Sequence, residues 1–135
     1  MADIDSALYH RLTTYAGLAS LVSTRVSPVT LPQDVSLPAV VFQNISLVPA
    51  VQEFDGPAAL PKARYQITSF GGTLASAKAV AAQVRAALDG ERGEWGTGAY
   101  KTVIYASLWK DESDVQEPDL PMYLVQQDYL IMFRD

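Results

Sequence analysis

Between two pairs of chain breakers, Gly71-Gly72 and Asp89-Gly90, the sequence carries one uninterrupted helical pattern, and that pattern decides what the rest of the chain must supply. Leu74, Ala77, Ala81, Val84 and Leu88 recur at three- and four-residue spacing, and Val80 and Ala87 widen the stripe. Thr73 is placed to cap the first turn, and Gly90 to take the left-handed conformation that ends a helix. A stripe this rich in alanine lets the helix lie close against a sheet, so strands must be found around it.

They are found on both sides. Residues 39–48 contain the β-favouring run Val40-Val41-Phe42, and in residues 63–70 Arg64, Gln66 and Thr68 alternate with Tyr65, Ile67 and Ser69. Residues 100–109 read as a third strand. In residues 122–133, Tyr123, Val125, Tyr129, Ile131 and Phe133 alternate with Gln126 and Asp128. Near the start, Ile4, Leu8, Leu12 and Tyr15 make an amphipathic helix over residues 3–15, with Asp3 and Asp5 suited to its N-cap and first turn. Gly17 interrupts it, and residues 18–22 add a short further turn. Pro28, Pro32 and Pro38 keep the following stretch extended or looping. The order predicts an α+β fold: a mainly antiparallel sheet of about four to five strands with two helices packed on it, in a single domain of residues 1–135.

Composition narrows function by exclusion. The 135 residues are 49% apolar and 19% charged, a globular balance. No apolar run approaches the roughly 18 residues a membrane helix needs, and the start, Met1-Ala2-Asp3-Ile4-Asp5, is acidic where a signal peptide is basic. The expectation is a protein that stays in the cytoplasm where it is made and contacts no membrane. With no cysteine there is no disulfide, thiolate nucleophile or cysteine-bound metal. A net charge of −5 repels phosphate backbones and argues against specific nucleic-acid binding.

Catalytic patterns are sparse. His10 is the one histidine, and it sits alone in the first helix, whereas metal sites and triads need several convergent groups. The glycine-rich segment 90–98 lacks the Gly-Lys-Ser/Thr ending of a phosphate loop, carries Glu91 and Glu94, and follows a helix instead of opening one. The acidic run Asp111, Glu112, Asp114, Glu117 and Asp119 fits calcium-loop spacing poorly and reads as a solvated loop or as an acidic patch on an interface or channel wall. Trp95 and Trp109 read as core or interface anchors. No enzyme, metal or cofactor is expected. Two segments stand out as functional: the long connection 49–62, which carries Val51, Phe54, Asp55 and Leu60, and the acidic loop of residues 111–121.

Several stretches, in order, resemble a known family. They are Leu12-Thr13-Thr14 through Leu21-Val22-Ser23-Thr24-Arg25-Val26, then Leu31-Pro32-Gln33 and Leu37-Pro38-Ala39-Val40-Val41-Phe42-Gln43. Asp55-Gly56-Pro57 and Ala63-Arg64-Tyr65-Gln66-Ile67 follow, then Val84-Arg85-Ala86-Ala87-Leu88-Asp89-Gly90, Glu117-Pro118 and the final Phe133-Arg134-Asp135. Together they resemble the tail-completion, or tail-terminator, proteins of long-tailed bacteriophages and gene-transfer particles, most strongly over residues 8–90. The chain departs from that pattern at Ala58-Ala59 and in its acidic run.

The resemblance implies a structural virion protein at the head-proximal end of the tail. It would cap the tail tube as a homohexameric ring and offer a joining surface to the head-completion or connector protein. A neck or head-completion protein on the portal side is the alternative, and a small-ligand-binding α+β domain the more distant one. Candidate interface residues on that reading are Val51, Phe54, Asp55, Leu60 and Trp109. Asp111, Glu112, Asp114, Glu117 and Asp119 would form an acidic lumen or partner patch past which DNA moves without specific binding. Six copies at −5 each carry −30, a field strong enough to matter if part of it faced a channel.

Overall fold

The computed structural model describes residues 4–48, 61–98, 101–117 and 122–134. Helix α1 (Ile4–Thr14) and helix α2 (Ala16–Val22) are followed by strand β1 (Val26–Pro28) and strand β2 (Ala39–Val48). Strand β3 (Lys62–Gly71), helix α3 (Leu74–Leu88), strand β4 (Gly93–Trp95), strand β5 (Thr102–Glu117) and strand β6 (Met122–Arg134) complete the order. The class is α+β, as expected, but the sheet has six strands in the order β1-β2-β3-β6-β5-β4. The β1–β2 pair is parallel and every other pair antiparallel. Among the described residues there are three helices where two were expected, because residues 16–22 form a separate α2. The extra strands β1 and β4 are three residues each, too short to show a period of their own, and they come from the proline stretch and the glycine-rich segment.

All three helices pack on the sheet face that carries Tyr65, Ile67, Tyr129 and Ile131, and the core lies between the two layers. Leu8 and Leu12 from α1, Leu18 and Val22 from α2, and Val80, Val84 and Leu88 from α3 are fully buried there. The alanine argument holds: Ala77 and Ala81 settle directly on Val125. Leu74 departs from the expected stripe and is exposed in the first turn, before the helix reaches the sheet. At the strand end just ahead of α3 only glycine fits, since a Cβ on Gly71 would stand 2.5 Å from the backbone nitrogen of Ala77.

Both ends of α3 are fixed by the residues the sequence singled out. The Ser76 N–H donates to the Thr73 hydroxyl at 3.1 Å. At the other end Gly90 adopts φ +75° and its N–H donates to the Ser107 carbonyl at 2.7 Å, while the Trp109 N–H donates to the Asp89 carboxylate at 3.1 Å. One corner thus ends the helix and ties it to β5. Arg11 adds a second tie: its Nε donates to the Ala87 carbonyl at 2.9 Å, which links α1 to the end of α3.

The largest correction concerns the acidic run. Residues 111–117 were expected as loop and are strand, an extension of β5 paired in register with Met122 to Asp128 of β6. Apolar alternation is missing there because both faces carry polar side chains, so the period that reveals a strand has nothing to act on.

Candidate assembly interface

The sheet carries two long hairpins, and the two candidate segments fall at their ends. Strand β2 leaves the core after Phe42, and Gln43 to Val48 are all exposed. Val48 pairs with Lys62 across the hairpin, so the connection that carries Val51, Phe54, Asp55 and Leu60 starts and ends at neighbouring positions. Those four residues lie outside the described ones. Ile45, Leu47 and Val48 are 45%, 51% and 52% exposed, an apolar cluster that the sequence reading absorbed into an ordinary strand. Its signal was present: a strand that continues past its last buried residue with apolar side chains has no core face to serve.

The outer half of β5 is built differently. Register places Glu112, Asp114 and Gln116 on the helix face, opposite Gln127, Val125 and Tyr123, and places Asp111 on the other face, opposite Asp128. On the helix face Lys78 of α3 reaches down to Asp114 at 2.9 Å and Glu112 at 3.8 Å. The Asp114 hydrogen bond, with both carboxylate charges adding to it, holds the Lys78 ammonium above its ordinary pKa. Gln127, almost fully buried, donates to Glu112 at 2.8 Å and to the Ala81 carbonyl at 3.2 Å, and accepts from the Tyr129 hydroxyl at 3.1 Å. Burial pushes the Tyr129 phenol far above its usual range, so it remains a neutral donor. On the opposite face Asp128 binds Arg64 at 2.7 Å and raises the guanidinium pKa. Within the acidic segment Glu112 and Asp114 are therefore charge-paired. The side chain of Glu117, at the end of β5, and the whole of Asp119 lie outside the described residues.

Trp109 marks the boundary between the two halves of β5. It packs against the edge of the core, with the Arg85 guanidinium 3.9 Å above its ring centre. Its indole N–H is buried with no hydrogen-bond partner among the described residues, as are the hydroxyls of Ser69 and Ser107. Sequence reasoning named Trp109 but missed Lys78, Arg85 and Gln127, because their roles depend on a register that pairs residues 15 or more positions apart.

Two depressions add little chemistry. One, of about 370 Å³, lies over Arg64, Lys110, Asp111, Asp128, Tyr129 and Leu130, where Arg64 and Asp128 are already paired with each other. The other, of about 320 Å³, is lined by Asp5, Ser6, Tyr9, Pro28 and Phe42, and Asp5 there accepts from the Tyr65 hydroxyl. His10 lies on α1 and lines neither depression.

The model of the family described as tail completion protein gp17 matches residues 6–134. The chain belongs to that family. Membership makes it a structural component of phage tails, and the match extends well beyond the 8–90 stretch on which the sequence resemblance was strongest. Among solved structures, a chain from "Virion of native gene transfer agent (GTA) particle" is similar with a TM-score of 0.76 at 19% identity, over 98% of this chain and 95% of that one. A second solved chain is similar with a TM-score of 0.58 at 14% identity, over 98% and 94%. At these identities the likeness is one of fold. No curated protein sequence matches the chain.

Proposed function

We propose that this protein closes the head-proximal end of a phage tail tube as a homohexameric ring and presents the surface to which the head connector joins. The observation that carries the reading is the family match across residues 6–134. The architecture is compatible with it. The β2–β3 hairpin has an exposed apolar outer half and the β5–β6 hairpin an acidic one beside α3, and functional residues are spread along strands and not gathered in a pocket. A ring of this kind needs two different surfaces on each subunit that meet head to tail and close. The chain acts without catalysis, metal or cofactor. Carboxylates along β5 and in the connection after it, Asp111 among them, would present negative charge to passing DNA, and like charge keeps a phosphate backbone moving.

Adding purified protein to an assembly extract that lacks it tests this directly. Tails of normal length that join heads are the expected product, with the protein seen at the head-proximal tail end by cryo-electron microscopy. Density on the portal side of the joint would move the protein to the neck. Folded protein that restores no joining would end the proposal.

A further inference from the structure

We propose that copies of this chain join by strand addition, residues 43–48 of β2 in one copy pairing antiparallel with residues 111–116 of β5 in the next. The inference rests on the ring proposed above and adds which strands make the subunit joint.

The argument starts from the two edges of the sheet. Each edge is closed by a strand of only three residues: β1 covers Val40 to Phe42 of β2, and β4 covers Thr102 to Ile104 of β5. On β5 the cover continues a little further, since the Ser107 carbonyl is taken by Gly90 and the Trp109 N–H by Asp89. Beyond those points, among the described residues, no strand pairs with the outer side of residues 43–48 or of residues 111–116. Each is an open edge of six residues, and an open edge is a template for another strand.

The two edges fit each other. Going across the sheet, β2, β3, β6 and β5 alternate in direction, so β2 and β5 run opposite ways. A neighbour's β5 laid beside β2 in a continued sheet is therefore antiparallel to it. The caps lie at opposite ends: β1 at the end where Ala39 meets Phe70, β4 at the end where Val103 meets Arg134. Two copies shifted along the strands can thus bring open segment to open segment with neither cap in the way. Such a stagger, repeated, tilts the strands and lets a sheet close on itself.

Chemistry agrees with position. Residues 43–48 carry no charge and no proline, two usual guards of an edge, and around a single bulge at Ile45 they expose Ile45, Leu47 and Val48. Across the joint, Val115 offers an exposed apolar side chain. Lys62, exposed beside Val48, enters no ion pair among the described residues, and the edge it would face is acidic. A symmetric β2–β2 pairing would leave β5 open and stop at a dimer; pairing β2 with β5 fills both edges and propagates.

The absence of cysteine makes the test clean. Full-length Ser46→Cys is mixed with Asp111→Cys, Ser113→Cys or Val115→Cys under mild oxidation, with and without purified tail tubes, after circular dichroism has shown each variant folded. Proximity in the joint raises the effective thiol concentration, so at least one mixture should give about tenfold more disulfide-linked dimer than either partner alone. Ser46→Cys that links to itself as readily as to any partner overturns the proposal. So does the absence of a link in all three mixtures, or a link formed only to the tube protein. Head joining, scored in the same preparations, separates the two readings. A link without joining leaves the strand joint standing and removes the tail role, and joining without a link does the reverse.

Discussion

The β2–β3 and β5–β6 hairpins are alike in antiparallel pairing, the second being the longer, yet their outer halves are held in opposite ways. The outer half of β5 is polar and tied down: Lys78 spans Glu112 and Asp114, Gln127 reaches both Glu112 and the backbone of α3, and Arg64 secures Asp128 on the far face. The outer half of β2 is apolar and held on one edge only, by β3. One hairpin satisfies its polar side chains within the chain, whereas the other leaves apolar side chains exposed, and each keeps one backbone edge open to a partner. Charge on the first guards it against the wrong partners, and the lack of charge on the second makes it adhesive.

The contrast breaks most sharply at residues 45 and 47. Replacing both Ile45 and Leu47 by lysine should abolish self-association in sedimentation and on tail ends. The unfolding free energy of the monomer should change by no more than about 0.5 kcal/mol, because both sites are exposed. A monomer that loses several kcal/mol would show that β2 is braced in a way the exposed side chains do not reveal.

Next in size is Gln127→Ala, which strips partners from the Tyr129 hydroxyl, the Ala81 carbonyl and Glu112 at once. Urea denaturation should show a loss of about 2–4 kcal/mol, part cavity and part unsatisfied polar groups. An unchanged midpoint would mean that the outer half of β5 is held by its ladder alone.

Arg85→Ala removes the cation over Trp109 and the partner of Asp89. About 1 kcal/mol is expected, since both contacts are half-exposed. Tryptophan fluorescence should shift to the red as water gains access to Trp109, while buried Trp95 stays constant.

Smallest is Lys78→Gln, whose effect on thermal unfolding should fade with added salt. Its sign with pH is fixed. Because the folded protein raises the Lys78 pKa, its contribution is full below the usual 10.5 and is lost as pH climbs through the raised value. The variant and the parent should therefore converge in alkaline buffer. A difference that widens there would put the Lys78–Asp114 pair in doubt.

Much of this frame was legible in the sequence. Helix α3 with its Thr73 cap and its Asp89-Gly90 stop, the strands β2, β3 and β6, and the α+β class were all readable, because each rests on local periodicity or backbone chemistry. Strands β1 and β4 were not, being shorter than any period. The strand character of residues 111–117 was hidden because, Val115 apart, Asp111 to Gln116 are polar on both faces. At the candidate interface, Trp109 could be named from the sequence but not placed, since its Arg85 partner lies on a helix 24 positions earlier and meets it only through the fold. Ile45, Leu47 and Val48 were placed in a strand, but that they stand exposed there is a property of the fold.

The position of β6 bears on timing. It is the last strand in chain order, yet it sits in the middle of the sheet, pairing with β3 on one side and β5 on the other across as many as 70 positions. Contacts that distant close large loops and form late. Until β6 inserts, β2–β3 and β4–β5 are separate pieces and the two open edges have no fixed relation to each other. A chain in which β6 has not yet inserted therefore cannot hold both edges in register, and strand addition between copies waits on that one step.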